Sequence, residues 1–459
     1  MPSGATLPFV TYKDTGIQSV TSTITSLEDE NVVSSFLSMP SRTYLNGCND
    51  VVVEGEVDIG TNFKLNQLKS VQTFRIPDDA DAISKVSFSY EVDYDSSATS
   101  NVSKTLGFEI IKKVEVRVGN QIWQTLTGED IFARNVTENS YASADELFES
   151  ACSIQGLDLV ESDLHPTSNV SVYTLKNGKY NISGNIDLKL FCGSGDKLNT
   201  FIQNAAPNND IVVKIFYNVL VSNVSFDRIT DTLNLKNPTL IVKKHNFTEI
   251  EKNYISKNII NSVINTSQSV AVKLDSNITN STNFLEKTIS ISRINEFTIN
   301  ASHLLITPLV TPYGEPETAA AFATSAPHAI YSRAFGGPRS AALKPGIHDF
   351  VKYIELFING SSVTGKLSSS YLKSNAKKLI GLNCISEFPI YCIPLASEKF
   401  GTDSLVLSKL SNKKLVITYD DAMLGFTALG NNSTIFNITA VGTNVVTYVG
   451  GECSQQIAN

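Results

Sequence analysis

Residues 109–121 read Glu-Ile-Ile-Lys-Lys-Val-Glu-Val-Arg-Val-Gly-Asn-Gln. Val114, Val116 and Val118 alternate with Lys113, Glu115 and Arg117, the period of two expected of a half-buried β-strand. Gly119-Asn120 tolerates positive φ and ends the strand in a tight turn. Residues 349–361, Asp-Phe-Val-Lys-Tyr-Ile-Glu-Leu-Phe-Ile-Asn-Gly-Ser, align with this stretch without a gap at a spacing of 349 − 109 = 240. Glu109 falls on Asp349, Val114 on Ile354, Glu115 on Glu355, Val116 on Leu356 and Val118 on Ile358. The turn Gly119-Asn120 falls on Asn359-Gly360. A strand and turn that recur half a chain apart imply a protein built as two similar halves.

Two further echoes support that reading. Residues 385–392 resemble 186–192, with Leu188 on Phe388, Leu190 on Ile390 and Cys192 on Cys392, and residues 415–419 resemble 212–216. Short alternating runs fill both halves, at 51–57, 71–76, 83–92, 186–192 and 210–221, then at 267–274, 288–294, 296–299, 304–309, 435–441 and 445–449. Lys176-Asn177-Gly178-Lys179, flanked by 172–175 and 180–182, carries a hairpin signal. Helix signals are few: acidic residues after Thr127-Gly128, a run over 142–152, and another over 249–256. About eight short antiparallel strands per half call for a fold that closes its edges, and a β-sandwich or jelly roll does so. The expected fold is all-β, two tandem eight-stranded jelly-roll β-sandwiches with a few short helices in loops. The expected division is an N-terminal arm at 1–50, a first jelly roll at 51–238, a connector at 239–262 and a second jelly roll at 263–459.

At 459 residues two domains are the default, and 42% apolar with 18% charged residues describes a folded chain rather than a disordered one. A net charge of −8 opposes a protein whose task is to wrap nucleic acid, so no direct nucleic-acid binding is expected. Lys243-Lys244 and Lys377-Lys378 are only doublets, read as solvated strand ends. The opening residues lack a basic stretch followed by an apolar core, so no secretory signal is expected, and no apolar run is long enough to span a bilayer. Cys48, Cys152, Cys192, Cys384, Cys392 and Cys453 are dispersed and read as free thiols, with a Cys384–Cys392 disulfide as the alternative.

Nothing in the chain spells out a catalytic or metal motif. His165, His245, His303, His328 and His348 are isolated and read as surface or loop residues. Gly193-Ser194-Gly195 follows a strand but lacks the third glycine of a dinucleotide fingerprint, and there is no Gly-x-Ser-x-Gly elbow. Asp78, Asp79 and Asp81 sit at a turn, where solvation accounts for them. No catalytic, cofactor-binding or metal-binding residue is assigned, and no cofactor is expected. Asn-x-Ser/Thr triplets are numerous, and Asn101, Asn135, Asn169, Asn277 and Asn359 are the candidate glycan acceptors. The competing account, chance triplets in a chain rich in Asn, Ser and Thr, is preferred. Trp123, the one tryptophan, reads as a core or interface filler.

The order of four motifs resembles the double jelly-roll major capsid proteins of large icosahedral DNA viruses, the iridovirus and phycodnavirus group. They are Phe74-Arg75-Ile76-Pro77 through Val86, the strand and glycine turn at 111–122, Glu387-Phe388-Pro389-Ile390-Tyr391 through Leu410, and Asn444-Val445-Val446-Thr447-Tyr448-Val449-Gly450-Gly451. Leu188-Lys189-Leu190-Phe191-Cys192-Gly193 departs from the family's Pro-rich aromatic run, and the N-terminal arm matches poorly. The resemblance implies a structural protein and not an enzyme. It implies a homotrimer forming a pseudo-hexameric capsomer, beside neighbouring capsomers and with penton and minor capsid proteins as partners. It also implies a place in the virion shell, assembly in the host cytoplasm, and at most an indirect link to an inner membrane. Segments 93–104, 134–169 and 311–346 are the candidates for an outer tower. The outward Tyr353 and Phe357 suggest burial against another layer, whereas Lys113, Glu115 and Arg117 suggest a wetter face. The alternatives are a secreted two-sandwich carbohydrate-binding or glycan-cleaving protein, and an adhesin or spike.

Overall fold

The computed structural model describes residues 48–455 apart from 58–61, 65–70, 97–99, 139–143, 157–166, 169–171, 177, 192–200, 218–231, 248, 258, 274–285, 313–350, 374–389, 397–403 and 421–431. Among the described residues, eight main strands form the body of the first sandwich, with shorter strands paired at their edges: β1 (Cys48–Glu54), β2 (Val71–Ile76), β3 (Ala82–Ser96), β4 (Ile111–Val118), β5 (Gln121–Thr127), β6 (Gly178–Asp187), β7 (Ile211–Tyr217) and β8 (Thr232–His245). Eight more form the second: β9 (Ile260–Lys273), β10 (Glu286–Ile291), β11 (Asn300–Pro312), β12 (Val351–Ile358), β13 (Ser361–Ser362), β14 (Tyr391–Pro394), β15 (Lys413–Asp420) and β16 (Asn432–Val449). One sheet of the first sandwich runs β1-β8-β3-β6 and the other β2-β7-β4-β5. The second sandwich repeats both orders, as β9-β16-β11-β14 and β10-β15-β12-β13. First strand beside last, with every pairing antiparallel, is the jelly-roll arrangement.

The stretch that organised the sequence holds the same place in each half. β4 and β12 have identical bounds at the spacing of 240, and each is the fourth strand of its sandwich. Val118 pairs with Gln121 and Arg117 with Ile122; 240 residues on, Ile358 pairs with Ser361 and Phe357 with Ser362. Gly119, Asn359 and Gly360 have φ of 56°, 52° and 81°, the left-handed region that Gly and Asn tolerate. Inward Val114, Val116, Ile354 and Leu356 are all buried, and the seventh strands meet them with Val213, Ile215, Leu415 and Ile417. Leu415 therefore matches Val213, one residue from the match at Val212 that the sequence suggested.

The connector expected at 239–262 is much shorter. Thr239 to His245 belong to β8, where Leu240 and Val242 enter the first core, and Ile260 already belongs to β9. Between them lies a helix, Glu249–Lys257. The arm expected at 1–50 gives its last residues to β1, and 1–47 lie outside the described residues. The expected hairpin at Asn177-Gly178 does not form. Val172–Leu175 pairs with Ser100–Ser103, whereas β6 pairs with β3, so the two segments run along different upstream strands, in different sheets, and not along each other. Of the tower candidates, 93–104 is mostly the end of β3 and the strand Ser100–Ser103. Segment 134–169 contains helix and strand, and 311–346 lies almost wholly outside the described residues.

Two apolar clusters mark two cores. One fills the first sandwich with Phe74, Phe88, Phe108, Val116 and Ile215 but extends into the second through Ile264, Leu305, Val441 and Tyr448. The other lies within the second sandwich and includes Leu304, Ile306, Leu356, Phe436 and Ile438. Successive residues of β11 and β16 thus belong to different cores, so the sheet they share is covered on both faces. Gly442 of β16 lies where a Cβ would sit 1.7 Å from the Asn300 carbonyl oxygen, beside the register shift between Ala301 and His303. Gly442→Ala is expected to destabilise the chain by about 3 kcal/mol or more, as backbone must move to relieve the overlap. Calorimetric melting of the variant against the parent checks it.

Candidate functional site

The feature that sets this chain apart from two beads on a string is the junction between the sandwiches. It begins with a helix. Thr127 ends β5 and caps α1 (Gly128–Glu138); its N–H donates to Asp130 Oδ2 (2.9 Å) and its Oγ1 accepts from the Asp130 N–H (3.2 Å). This reciprocal pair is a capping box with aspartate in the glutamate's place. α1 is enclosed almost entirely, polar residues included: Asp130, Arg134, Asn135 and Thr137 are all buried. Buried polar groups require partners, and those of Asp130 come largely from the second sandwich.

Asp130 is 0% exposed. Its Oδ1 accepts from Asn437 Nδ2 (2.8 Å) and Thr439 Oγ1 (2.6 Å) of β16. Its Oδ2 accepts from Ser269 Oγ of β9 (2.8 Å) as well as from Thr127. One carboxylate thus caps a helix of the first sandwich and gathers three side chains from the second. One turn on, Arg134 donates through Nε to Glu138 (2.6 Å) and through Nη1 to the Lys189 carbonyl (2.6 Å) and Ser267 Oγ (3.4 Å). Lys189 Nζ is itself 3.3 Å from Asp187. Gln124 of β5 bridges the same seam, donating to Ser267 and accepting from the Phe191 N–H.

Beside this polar seam runs an aromatic one. Trp123 stands 5.3 Å from Phe191 and 5.9 Å from Phe201, and Phe201 stands 5.7 Å from Tyr448 of β16, centroid to centroid. The Tyr448 hydroxyl accepts from the Ile202 N–H (3.1 Å). Further along, Asn208 N–H donates to the Gly451 carbonyl and Cys453 N–H to Asn209 Oδ1. Trp123 is therefore the interface filler the sequence suggested, 3% exposed.

Several residues stand elsewhere than the sequence suggested. His245 and His303 are buried strand residues and not surface or loop ones; Ser84 and Ser302 lie against their rings. His165, His328 and His348 lie outside the described residues. Asp81 is buried rather than solvated, accepting from the Phe247 N–H (2.7 Å) and Asn204 Nδ2 (3.1 Å). Lys244 is buried too, bonded to Asp79 and the Pro77 carbonyl, so that doublet is no solvated strand end. Lys377 and Lys378 lie outside the described residues. Asp78 has its pKa raised, first by burial and then by the charges of Asp210 and Asp79, against a lowering by Lys244. Among the described residues no group of three or more His, Cys, Asp or Glu is placed to hold a metal, and no helix is long and apolar enough to cross a membrane. Cys152, Cys392 and Cys453 are free thiols; burial pushes that of Cys453 up to about 12.

The glycan candidates separate by position. Asn135 is 1% exposed and its Nδ2 donates to the Ile131 and Asp187 carbonyls, so no glycosyl group can reach it. Asn359 is exposed at the β12 turn, and its Oδ1 accepts from Ser411 Oγ (3.0 Å). Asn101 lies in the strand Ser100–Ser103, and Asn169 and Asn277 lie outside the described residues. Asp130 was visible only as an acidic residue in the first turn of an expected helix, and nothing marked Arg134, Ser269, Asn437 or Thr439 as junction residues.

No protein-family model matches the sequence, and neither does any curated protein. Solved structures do match the fold. The major capsid protein VP54 of PBCV-1, in a structure fitted into a reconstruction of the virophage Sputnik, superposes with a TM-score of 0.64 and 13% identity over 92% of this chain and 100% of that one. This chain is a double jelly roll. The Faustovirus major capsid protein has the same double jelly roll at a TM-score of 0.56 and 7% identity, over 88% of this chain and 91% of its own. A chain of the Sputnik virophage particle follows at 0.51 and 8%, over 90% and 88%. At such identities the likeness is one of fold.

Two expectations follow from the geometry. Asp130→Ala leaves the buried donors of Asn437 and Thr439, and the half-buried one of Ser269, unmatched and should cost about 3–5 kcal/mol. Urea unfolding followed by the fluorescence of Trp123 checks it, since that ring lies in the junction. For Asp78, a folded-state pKa raised above 3.8 means the folded protein holds the proton more tightly, so stability falls as pH rises through that raised value. Asp78→Asn should therefore raise the melting temperature at pH 7 by a degree or so and lose this advantage at pH 3.

Proposed function

We propose that this chain is the major capsid protein of an icosahedral virus, a structural protein that trimerises into pseudo-hexameric capsomers and tiles the shell. The observation that carries the reading is the end-to-end match with VP54, at a TM-score of 0.64 over 92% of this chain and 100% of the other. A glycan-processing or lectin function would need only one sandwich to present a groove. A tile needs both, held rigidly at a fixed angle, and the Asp130 seam and the aromatic stack around Trp123 do that. On this reading the protein resides in the virion, contacts neighbouring capsomers, penton and minor capsid proteins, and catalyses no reaction.

The physical case for a trimer rests on symmetry. Two similar sandwiches per chain make six similar walls from three chains, and closed cyclic assembly yields a discrete particle rather than a fibre. The test is the mass of the native protein by light scattering. About three times the chain mass of 49.9 kDa is expected. A monomer at every concentration tried would overturn the capsomer.

A further inference from the structure

We propose that Val363 and Tyr371 of the second sandwich dock on the outer face of β1 and β8, around Val52 and Ile241, in a second copy of this chain. The inference rests on the capsomer reading above and supplies the surfaces for it. Its source is the junction already present inside the chain.

Within one chain, the first sandwich presents the end of its fourth-to-fifth-strand hairpin and the segment after it. Trp123, Gln124 and α1 occupy this position, and the outer face of β9, β16 and β11 covers them. One cross-strand row of that covering face is Ser269, Thr439 and Leu305, two of which touch or flank Asp130. The contact is head-to-tail: a hairpin and helix on one side, a sheet face on the other. Each sandwich therefore owns one surface of each kind, and the chain uses only half of them.

The unused hairpin surface is on the second sandwich. The hairpin of β12 and β13 repeats that of β4 and β5 at the spacing of 240, which sets Val363 at the place of Trp123. Trp123 is 3% exposed and Val363 is 59% exposed. Tyr371, in the segment after the hairpin as Ile131 is in α1, is 41% exposed, whereas Ile131 is fully buried. Two large apolar side chains thus stand in water where their counterparts are enclosed.

The unused sheet face is on the first sandwich. Val52 pairs with Ile241 and Ile241 with Ser87, so these three form a row on one face; Val53, Val242 and Val86 next to them enter the core. Val52 is 61% exposed and Ile241 partly so, while Ser87 is 7% exposed, so the open part of the face lies on β1 and β8. The row has the small-polar and aliphatic mixture of Ser269, Thr439 and Leu305. Glu54 is exposed two residues along β1 from Val52, and Lys366 is exposed three residues from Val363, a pair of opposite charge on a rim that also holds Asp50, Lys243 and Lys85. Head-to-tail surfaces of this kind close into a ring when the rotation permits, and in a ring each chain's free hairpin meets the next chain's free sheet.

The test uses the full chain. Val52→Asp and the double variant Val363→Asp with Tyr371→Asp are compared with the parent by light scattering and thermal melting. All three positions are exposed, so the melting temperature of the isolated chain should hold. A parent of three chain masses and both variants at one, a threefold drop, is the expected result. A trimeric parent whose variants stay trimeric overturns the docking surfaces and leaves the capsomer standing. A parent that is monomeric throughout overturns the capsomer and the surfaces together.

Discussion

A sheet buried on both faces has nowhere to place a polar side chain except against another polar group, and the sheet of β9, β16 and β11 is buried on both faces. Its inner residues, Phe436, Ile438 and Ala440, meet their own core. Its outer residues, Asn437 and Thr439, meet the first sandwich and are as fully enclosed. Without the Asp130 carboxylate those donors would be stranded, and each stranded donor costs on the order of 1–3 kcal/mol. The carboxylate in turn has left water entirely and is held by five hydrogen bonds, two of them from its own helix cap. Neither side is tenable alone. The docking angle of the two sandwiches follows from that mutual need more than from apolar area, since a polar network accepts one geometry where oily surfaces accept many.

This division explains what the sequence disclosed and what it hid. The strands β4 and β12 were legible because their alternation is honest: Val114 and Val116 are in, Lys113 and Arg117 largely out, and the turn glycine sits where positive φ is required. The helices after Thr127, over 144–151 and over 249–257 were legible from caps and composition. The run Asn437-Ile438-Thr439-Ala440-Val441 looks like an ordinary strand with one wet face. Period-two patterning reports only that two faces differ; it does not say that the polar one is in water. The same ambiguity hid His245, His303 and Lys244, polar residues whose neighbours are supplied by distant strands. The Asn177-Gly178 signal failed for another reason, because each flanking segment found its own upstream partner, Ser100–Ser103 for one and β3 for the other, and non-local pairing overrode the turn.

The pseudo-repeat also shows how two copies of one fold diverge once they have different neighbours. At the same hairpin position the first sandwich places a tryptophan in an aromatic stack and the second places a valine. After it, one has an eleven-residue helix laden with buried polar groups and the other has Ser370 and Tyr371 exposed. On the outer faces of β4 and β12 the contrast runs likewise. Lys113, Glu115 and Arg117 pair among themselves, whereas Tyr353 stands exposed and Phe357 lies under Lys414. The backbone was kept, and the surface chemistry was rewritten position by position.

The placing of first strand beside last bears on when the protein becomes itself. β16 lies between β9 and β11, completes the second core, and carries Asn437, Thr439 and Tyr448 into the junction. A ribosome releases it after every other strand of either sandwich except the short Glu452–Gln455. Until then β9 and β11 have no common neighbour, and the α1 carboxylate has no distant donors. Closing a loop of this length is slow for entropic reasons, so the nascent chain passes through a long interval with one finished sandwich and one open one. The rigid two-sandwich body therefore appears only once β16 has emerged and been drawn between β9 and β11.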